Sequence, residues 1–156
     1  MEQSLKPKVT LVFGRICSGK GSYMKDSYRI VVSDIVRGMV SSTNRDALQN
    51  SMHFDNRIAQ SLIDHIVQAF DQEYTNHIVV DGIRQVSIVD RVLNTFPDAE
   101  MIWLEVPYDE RKRRYLARQD AKDVESFELA DNKGIELECQ KIFNIFKDRL
   151  TIINNY

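Results

Sequence analysis

The sequence predicts one α/β domain built on a parallel β-sheet, and three observations indicate this fold class. Five short runs rich in β-branched and aromatic residues recur along the 156-residue chain, and such runs are typical of buried parallel strands. Longer segments with helical apolar spacing separate them. A glycine-rich turn directly follows the first run. We therefore expect right-handed crossovers, helices on both faces of the sheet, and a single domain over residues 1–156.

The first half of the chain contains two of the strand runs, at residues 8–13 and 29–32. A helix is expected between them, over about residues 19–28, and another over residues 33–39, where Ser or Asp can cap its start. A longer helix begins at Asp55. It carries one apolar stripe that we expect to pack on the sheet, made of Ile58, Leu62, Ile63, Ile66, Val67 and Phe70.

The second half adds three strand runs, at residues 77–80, 101–104 and 151–153. Helical patterns predict a helix between the first two of these runs, a markedly basic helix from Asp109, and a last helix with apolar positions at Ile135, Leu137, Ile142, Ile145 and Phe146. A polar stretch separates the basic helix from the last one. The elements thus alternate along the whole chain, as expected for an α/β domain.

Composition argues against several classes of protein. Lys and Arg total 21 against 23 Asp and Glu, a net charge of −2, which argues against a protein that coats nucleic acid by charge. No apolar run approaches the roughly 20 residues needed to cross a bilayer. Residues 1–8 carry no apolar leader segment, so we expect a cytoplasmic protein. Cys17 and Cys139 form no metal-ligand pattern and are expected to stay reduced.

The glycine-rich segment 14–22 has the strongest functional signal, because it follows a strand and precedes a predicted helix. Glycines let backbone N–H groups surround an anion, and Lys20 can reach the outer phosphates of a nucleotide. The alternative is a turn that only allows tight packing. The candidate phosphate-binding residues are Gly14, Arg15, Ile16, Cys17, Ser18, Gly19, Lys20, Gly21 and Ser22.

The pattern Gly-x-x-x-x-Gly-Lys-Gly-Ser resembles the phosphate loop (Walker A motif) of adenylate kinases and related nucleoside monophosphate kinases. The resemblance implies a three-layer P-loop NTPase fold with strand order 2-3-1-4-5, and ATP and Mg²⁺ as cofactors. It also implies that Lys20 contacts the β- and γ-phosphates and that Ser22 lies close to the metal. The family usually has Thr where Ser22 stands, and often Pro-Gly where Ile16 and Cys17 stand.

Two further segments resemble parts of these kinases that bind the acceptor. Ser33 to Arg37 resembles the segment whose arginine holds the acceptor's phosphate, which makes Asp34 and Arg37 candidate substrate-binding residues. The alternative is that Asp34 caps a helix and Arg37 is solvated. Residues 34–73 would form the acceptor-binding helices, and Arg45 within them is a candidate contact to phosphate or base.

The segment Asp81-Gly82-Ile83-Arg84 resembles the Asp-Gly-Phe-Pro-Arg segment of the family, shortened by one residue. By that resemblance Asp81 approaches the water shell of the metal and Arg84 binds the acceptor phosphate. A carboxylate at the carboxyl end of a parallel strand also lies where ligands bind in open α/β sheets. The alternative is an Asp-Gly turn with a surface arginine.

Arg114 and Arg118 follow Pro107 at the spacing of two lid arginines in adenylate kinases. Four residues apart on a helix, they share a face and can point at one charge, as phosphoryl transfer requires. The alternative is a basic helix that pairs with its own acidic residues. A short helical lid without metal is expected over about residues 111–135.

The resemblance implies ATP-dependent phosphoryl transfer to a nucleoside or deoxynucleoside monophosphate, catalysed by Lys20, Arg114, Arg118 and Asp81, with Ser22 and Asp81 at the metal. Two alternatives stay open. One is a kinase of this fold with another acceptor, such as a small metabolite, dephospho-coenzyme A or a modified base in DNA. The other is a nucleotide-binding module without catalysis. We expect small nucleotides as partners, no membrane association, and a monomer or homodimer.

Overall fold

The computed structural model describes residues 8–39, 55–72, 75–118, 126–154 and 156. These residues form a five-stranded parallel sheet in the order β2-β3-β1-β4-β5, which confirms the expected fold class and strand order. The strands are β1 (Lys8–Phe13), β2 (Tyr28–Val31), β3 (His77–Asp81), β4 (Glu100–Glu105) and β5 (Leu150–Asn154).

The register of the sheet determines which residues meet at its carboxyl edge. β1 lies between β3 and β4, with Val12 opposite Asp81 and Phe13 opposite Trp103. Because parallel strands end at the same edge, Asp81 finishes its strand beside the turn that begins at Gly14. The fold itself therefore brings the predicted metal carboxylate to the glycine-rich loop.

One face of the sheet is covered by a row of helices. Helices α1, α2, α3 and α6 surround the larger apolar core, which they share with β1, β3 and β4. The described helices are α1 (Val32–Met39), α2 (Asp55–Gln72), α3 (Val86–Thr95), α4 (Tyr108–Arg118), α5 (Phe127–Asp131) and α6 (Gly134–Phe146).

The apolar stripe predicted on α2 is correct at its centre and wrong at one edge. Ile58, Leu62, Ile63 and Ile66 are buried, whereas Val67 is 45% exposed. Each helical residue turns by about 100°, so the step from Ile66 takes Val67 past the edge of the buried face. The stripe still anchors α2 against the sheet.

The crossover from β1 to β2 runs toward the β2 edge of the sheet, whereas the later crossovers run toward the β5 edge. Because the connections are right-handed, this crossover lies on the opposite face of the sheet from the later ones.

The helix predicted over residues 19–28 is wrong. A single 3₁₀ turn at Lys20–Ser22 is followed by turns up to β2. The two glycines of the segment are poor helix formers, and Met24 has a left-handed backbone (φ 49°), which a helix excludes. Tyr23 from this crossover packs on a second, smaller apolar cluster of the sheet, formed by Val12, Val79, Ile102 and Leu104.

Of the helices in the described part of the chain, none combines the length and the apolar character that crossing a bilayer requires.

Candidate phosphate-binding site

The loop between β1 and the 3₁₀ turn is closed by tight backbone contacts. A Cβ atom on Gly14 would lie 2.2 Å from Ser18 Oγ and 3.0 Å from Leu104 O. Gly19 has a φ of 93°, and Cys17 also has a positive φ of 63°. Consecutive residues of such alternating handedness turn backbone N–H groups toward a common side, as anion-binding loops require. The loop thus has the compact geometry that its glycines predict.

Lys20 lies folded back over the loop. Its Nζ donates hydrogen bonds to the backbone oxygens of Gly14 (2.8 Å) and Arg15 (3.1 Å). Burial lowers the pKa of Lys20, and the positive charge of Arg84 lowers it further. The ammonium group is therefore held at the loop with limited solvation, so an entering phosphate would meet a cation that water screens weakly.

Asp81 is buried at the end of β3 and pairs with Arg29, a residue that the sequence analysis did not single out. Arg29 Nη1 lies 3.4 Å from Asp81 Oδ2 and donates to Lys20 O at 3.1 Å. Its Nη2 donates to Tyr23 O. Arg29 therefore fastens the turn after the loop to the strand that carries Asp81. An arginine in a short strand, next to the buried Ile30, was the signal for it.

The residues predicted at the metal fit Mg²⁺ in their chemistry. Asp81 supplies a carboxylate, and the exposed Ser22 supplies a hydroxyl that donates to Gly19 O at 3.1 Å. Mg²⁺ prefers oxygen ligands and commonly uses one or two protein groups together with phosphates and water. Within the described ranges no three His, Cys, Asp or Glu side chains group into a metal cage.

Two buried carboxylates from the last third of the chain hold the loop, and neither was among the predicted site residues. Asp131 on α5 pairs with Arg15 (3.1 Å) and Arg111 (2.7 Å). Glu136 on α6 accepts from the backbone N–H of Ile16 at 2.8 Å. Arg111 also donates to Ile16 O (3.4 Å), so helices α4, α5 and α6 all contact this one loop.

Arg84 turns toward the same region. Its Nη1 forms an ion pair with Glu136 Oε2, and its side chain keeps 28% exposure. Together with its effect on the pKa of Lys20, this places the Arg84 guanidinium near the loop. Glu136 is the partner that sequence reasoning did not supply for Arg84.

Among the described residues, the two predicted lid arginines contact different groups. Arg114 reaches the loop, where Nη1 donates to Cys17 O at 3.2 Å, while its Nε donates to Glu110 at 2.9 Å. Arg118 is exposed, and its guanidinium lies 5.1 Å from the centre of the Tyr115 ring. Arg111, one turn before Arg114, is the second arginine of α4 that contacts the loop.

The described part of the predicted lid packs on the loop. Phe127 and Ala130 of α5 are buried with Tyr115 of α4, and Ile16 and Cys17 of the loop pack against this cluster. Residues 119–125 of the lid segment lie outside the described residues. Helix α5 therefore packs against one side of the glycine-rich loop.

The acceptor side is described only in part. Asp34 lies in the first turn of α1, and an exposed ion pair joins it to Arg37 on the next turn. The helix begins at Val32, so the two predicted cap residues, Ser33 and Asp34, lie inside it rather than before it. Arg45 lies outside the described residues.

This chain is similar in fold to several solved structures. No family model and no curated protein matches its sequence. A chain of the Pnkp1/Rnl/Hen1 RNA repair complex is similar at a TM-score of 0.63 and 16% identity, over 92% of this chain. This chain spans 47% of that one, about half its length.

Two kinases are similar over most of both chains. A sugar kinase from a Janibacter species has a TM-score of 0.58 at 11% identity, over 96% of this chain and 86% of its own. Shikimate kinase from Bacteroides thetaiotaomicron has a TM-score of 0.54 at 15% identity, over 94% and 86%. The chain has the fold of P-loop kinases. Within this fold, the glycine-rich segment occupies the position after β1, at the carboxyl edge of the sheet.

Proposed function

We propose that the protein transfers the γ-phosphoryl group of Mg-ATP to the phosphate of a nucleoside or deoxynucleoside monophosphate. The observation that carries this proposal is the convergence of two arginines from separate elements on the loop that holds Lys20. Arg114 of α4 donates to Cys17 O of the loop. Arg84, from the segment after β3, pairs with Glu136, which accepts a hydrogen bond from the Ile16 N–H of the same loop. Both substrates of such a reaction bring phosphate, so cations are needed on each side of the transferred group.

The donor half of the mechanism is assigned to the loop. Its backbone N–H groups and Lys20 bind the β- and γ-phosphates of ATP, and Arg114 neutralises charge that grows on the equatorial oxygens during transfer. Arg118 joins Arg114 once it leaves the ring of Tyr115. Asp81 and Ser22 would hold Mg²⁺, which supplies charge neutralisation between the β- and γ-phosphates when bound.

The acceptor half is assigned to Arg84, Arg37, Asp34 and Arg45. In the in-line transfer an acceptor phosphate oxygen forms a bond to the γ-phosphorus as the bond to the β-phosphate oxygen breaks, giving a nucleoside diphosphate and ADP. An acceptor phosphate is already largely ionised near neutral pH. Positioning and charge neutralisation therefore suffice, and no protein base is required.

A hydroxyl acceptor is the second candidate, and Asp34 favours it. The Asp34 side chain is 65% exposed in the first turn of α1, at the carboxyl edge of the sheet. A carboxylate in that position is able to take the proton of an attacking hydroxyl. The similarity to a sugar kinase and a shikimate kinase supports testing acceptors of this kind.

The experiment is a coupled assay of ADP release from Mg-ATP with a panel of ribo- and deoxyribonucleoside monophosphates, and with sugars, shikimate and 5′-hydroxyl oligonucleotides. We expect turnover with one or a few monophosphates and a loss of about 100- to 1,000-fold in Lys20→Ala. Lys141→Ala is the matched control, because Lys141 is an exposed lysine paired with Glu138 on α6. Wild-type rates in Lys20→Ala would overturn the assignment of the loop.

Asp34→Asn separates the two candidates. With a phosphate acceptor we expect a kcat close to that of the wild type, whereas a hydroxyl acceptor that relies on Asp34 would lose about 100-fold or more. ATP binding without ADP release for any acceptor would instead indicate a nucleotide-binding module and would contradict both kinase proposals.

A further inference from the structure

Glu136 is a nearly fully buried carboxylate in the first turn of α6, with 3% exposure. Its two oxygens have different partners. Oε1 accepts from the backbone N–H of Ile16 at 2.8 Å, and Oε2 pairs with Nη1 of Arg84. A buried carboxylate is costly without such partners, so both contacts hold it in place.

These contacts connect distant parts of the chain. Ile16 lies 120 residues before Glu136, in the phosphate loop, and Arg84 lies 52 residues before it, after β3. One side chain thus links the loop assigned to ATP to the arginine assigned to the acceptor. The distance between these two groups is what in-line transfer between two phosphates depends on.

Attachment of the loop to the helices does not depend on Glu136 alone. Asp131 already pairs with Arg15 and Arg111, and Arg111 donates to the backbone of Ile16. Glu136 Oε1 also forms a long ion pair with Arg15 Nε at 3.9 Å, without a hydrogen bond, and Asp131 is the nearer carboxylate to Arg15 at 3.1 Å. Its distinct contribution is therefore the contact with Arg84.

Arg84 can bind an anion while Glu136 holds it. A guanidinium group carries five N–H donors in a plane, and Glu136 engages it through Nη1. The side chain keeps 28% exposure, so part of it faces solvent. A fixed guanidinium loses less conformational freedom when it binds phosphate than a mobile one does.

We propose that Glu136 is a positioning residue that holds Arg84 at the phosphate loop in the orientation that receives the acceptor's phosphate. This inference rests on the proposed function, since the acceptor is a phosphate. Glu136 acts through Arg84 and contacts neither substrate.

Glu136→Gln tests the inference because it separates the two contacts. The carbonyl oxygen of Gln can still accept from Ile16 N–H, whereas its neutral amide cannot pair with Arg84. We expect the acceptor KM to rise about tenfold or more, while the Kd of a non-hydrolysable ATP analogue stays within about twofold. Glu138→Gln is the control, because Glu138 lies two residues away on the same helix and pairs with the exposed Lys141.

A double-mutant cycle with Arg84→Met shows whether Glu136 acts through Arg84. In the Arg84→Met background, Glu136→Gln is expected to add less than twofold to the acceptor KM. An equal effect in both backgrounds, or an effect of Glu136→Gln no larger than that of Glu138→Gln, overturns the inference. If Glu136→Gln does not fold, Glu136→Asp keeps the charge and shortens the reach, and it is expected to give the same split between acceptor KM and ATP binding.

A readout independent of activity separates this inference from the proposed function. In ¹⁵N spectra of arginine side chains, we expect slowed guanidinium rotation for Arg84 in the wild type and faster rotation in Glu136→Gln, with the Ile16 amide signal little changed. If the wild type phosphorylates no monophosphate, the proposed function fails, and these spectra still decide whether Glu136 holds Arg84. Identical Arg84 signals in both proteins overturn the inference.

Discussion

Two of the arginines proposed to bind the acceptor, Arg84 and Arg37, are held in opposite ways. Arg84 pairs with Glu136 across 52 residues of sequence, and the two side chains are 28% and 4% exposed. Arg37 pairs with Asp34 three residues earlier on α1, and these side chains are 53% and 65% exposed. The two pairs have the same chemistry, but only the first depends on the tertiary fold.

The difference separates a fixed end of the site from an adjustable one. An exposed ion pair contributes about 0–1 kcal/mol and is screened by salt, so Arg37 can leave Asp34 for a phosphate at little cost. A buried pair that loses one partner leaves an uncompensated charge, which costs far more. The Arg84–Glu136 pair is thus fixed by tertiary contacts of the fold, whereas Arg37 on α1 can exchange Asp34 for another partner at little cost in free energy.

Removing charge at the fixed end is expected to have the largest effect on stability. Asp131→Asn leaves Arg15 and Arg111 without their shared carboxylate in a site where the Asp131 and Arg111 side chains are 8% and 9% exposed. We expect the free energy of unfolding to fall by about 3–5 kcal/mol and the thermal midpoint by roughly 6–20 °C. Chemical and thermal denaturation measure this change. The matched variant at the adjustable end, Asp34→Asn, is expected to change stability by less than about 1 kcal/mol, and equal losses in the two variants would contradict the comparison.

Removing the arginine at the adjustable end is expected to affect binding rather than folding. Arg37→Ala deletes an exposed side chain, so the free energy of unfolding should change by less than about 1 kcal/mol. The acceptor KM should rise about tenfold, as expected when one charged hydrogen-bond partner of a phosphate is lost. Steady-state kinetics with each substrate varied in turn measure this effect. A similar rise in the KM for ATP would contradict the assignment of Arg37 to the acceptor.

The smallest expected effect is a pH dependence of stability that comes from Glu110. Glu110 forms partly exposed ion pairs with Arg113 and Arg114. Hydrogen bonds from Arg113 and Arg114 lower the pKa of Glu110 from 4.5 to about 2. A carboxylate whose pKa is lowered by folding stabilises the folded state at pH values above its ordinary pKa of 4.5. This stabilisation is lost as the pH falls from 4.5 to about 2. The difference in thermal midpoint between the wild type and Glu110→Gln should therefore be present at pH 5 and disappear near pH 2. A difference that stays constant over this range would show that the pair does not titrate as expected.

The sheet was predictable from sequence because each strand contains a short local run rich in β-branched, aromatic or other apolar residues. The position of the loop after β1 and of Asp81 beside it followed from the parallel arrangement. The helix predicted over residues 19–28 was wrong because the segment contains two glycines and Met24 adopts a left-handed backbone, which no local sequence pattern indicates. Local patterns thus located the loop at the carboxyl edge of the sheet but not the backbone conformation that follows the loop.

The partners of the site arginines were not predictable in the same way. Asp131 and Glu136 meet Arg15 and Arg84 over separations of 116 and 52 residues, which no local period encodes. A signal was present, however: Glu136 is buried three residues before the buried Cys139, on the inner face of α6, whereas the predicted apolar position Leu137 is 48% exposed. A charged residue on a buried helical face requires a cation, and searching for that cation would have led to Arg84.

The single 3₁₀ turn after the loop has a consequence for how ATP would be bound. A long helix at this position adds the field of its aligned peptide dipoles to the backbone N–H groups that face a phosphate. Three residues supply little of that field. In the proposed function, the attraction for triphosphate then falls mainly to Lys20, Arg84 and Arg114. Mobile ions screen the two guanidinium groups, which are partly exposed, over about 10 Å at 0.1 M ionic strength. Nucleotide affinity in this protein should therefore depend on ionic strength more steeply than in a kinase whose loop opens into a full helix.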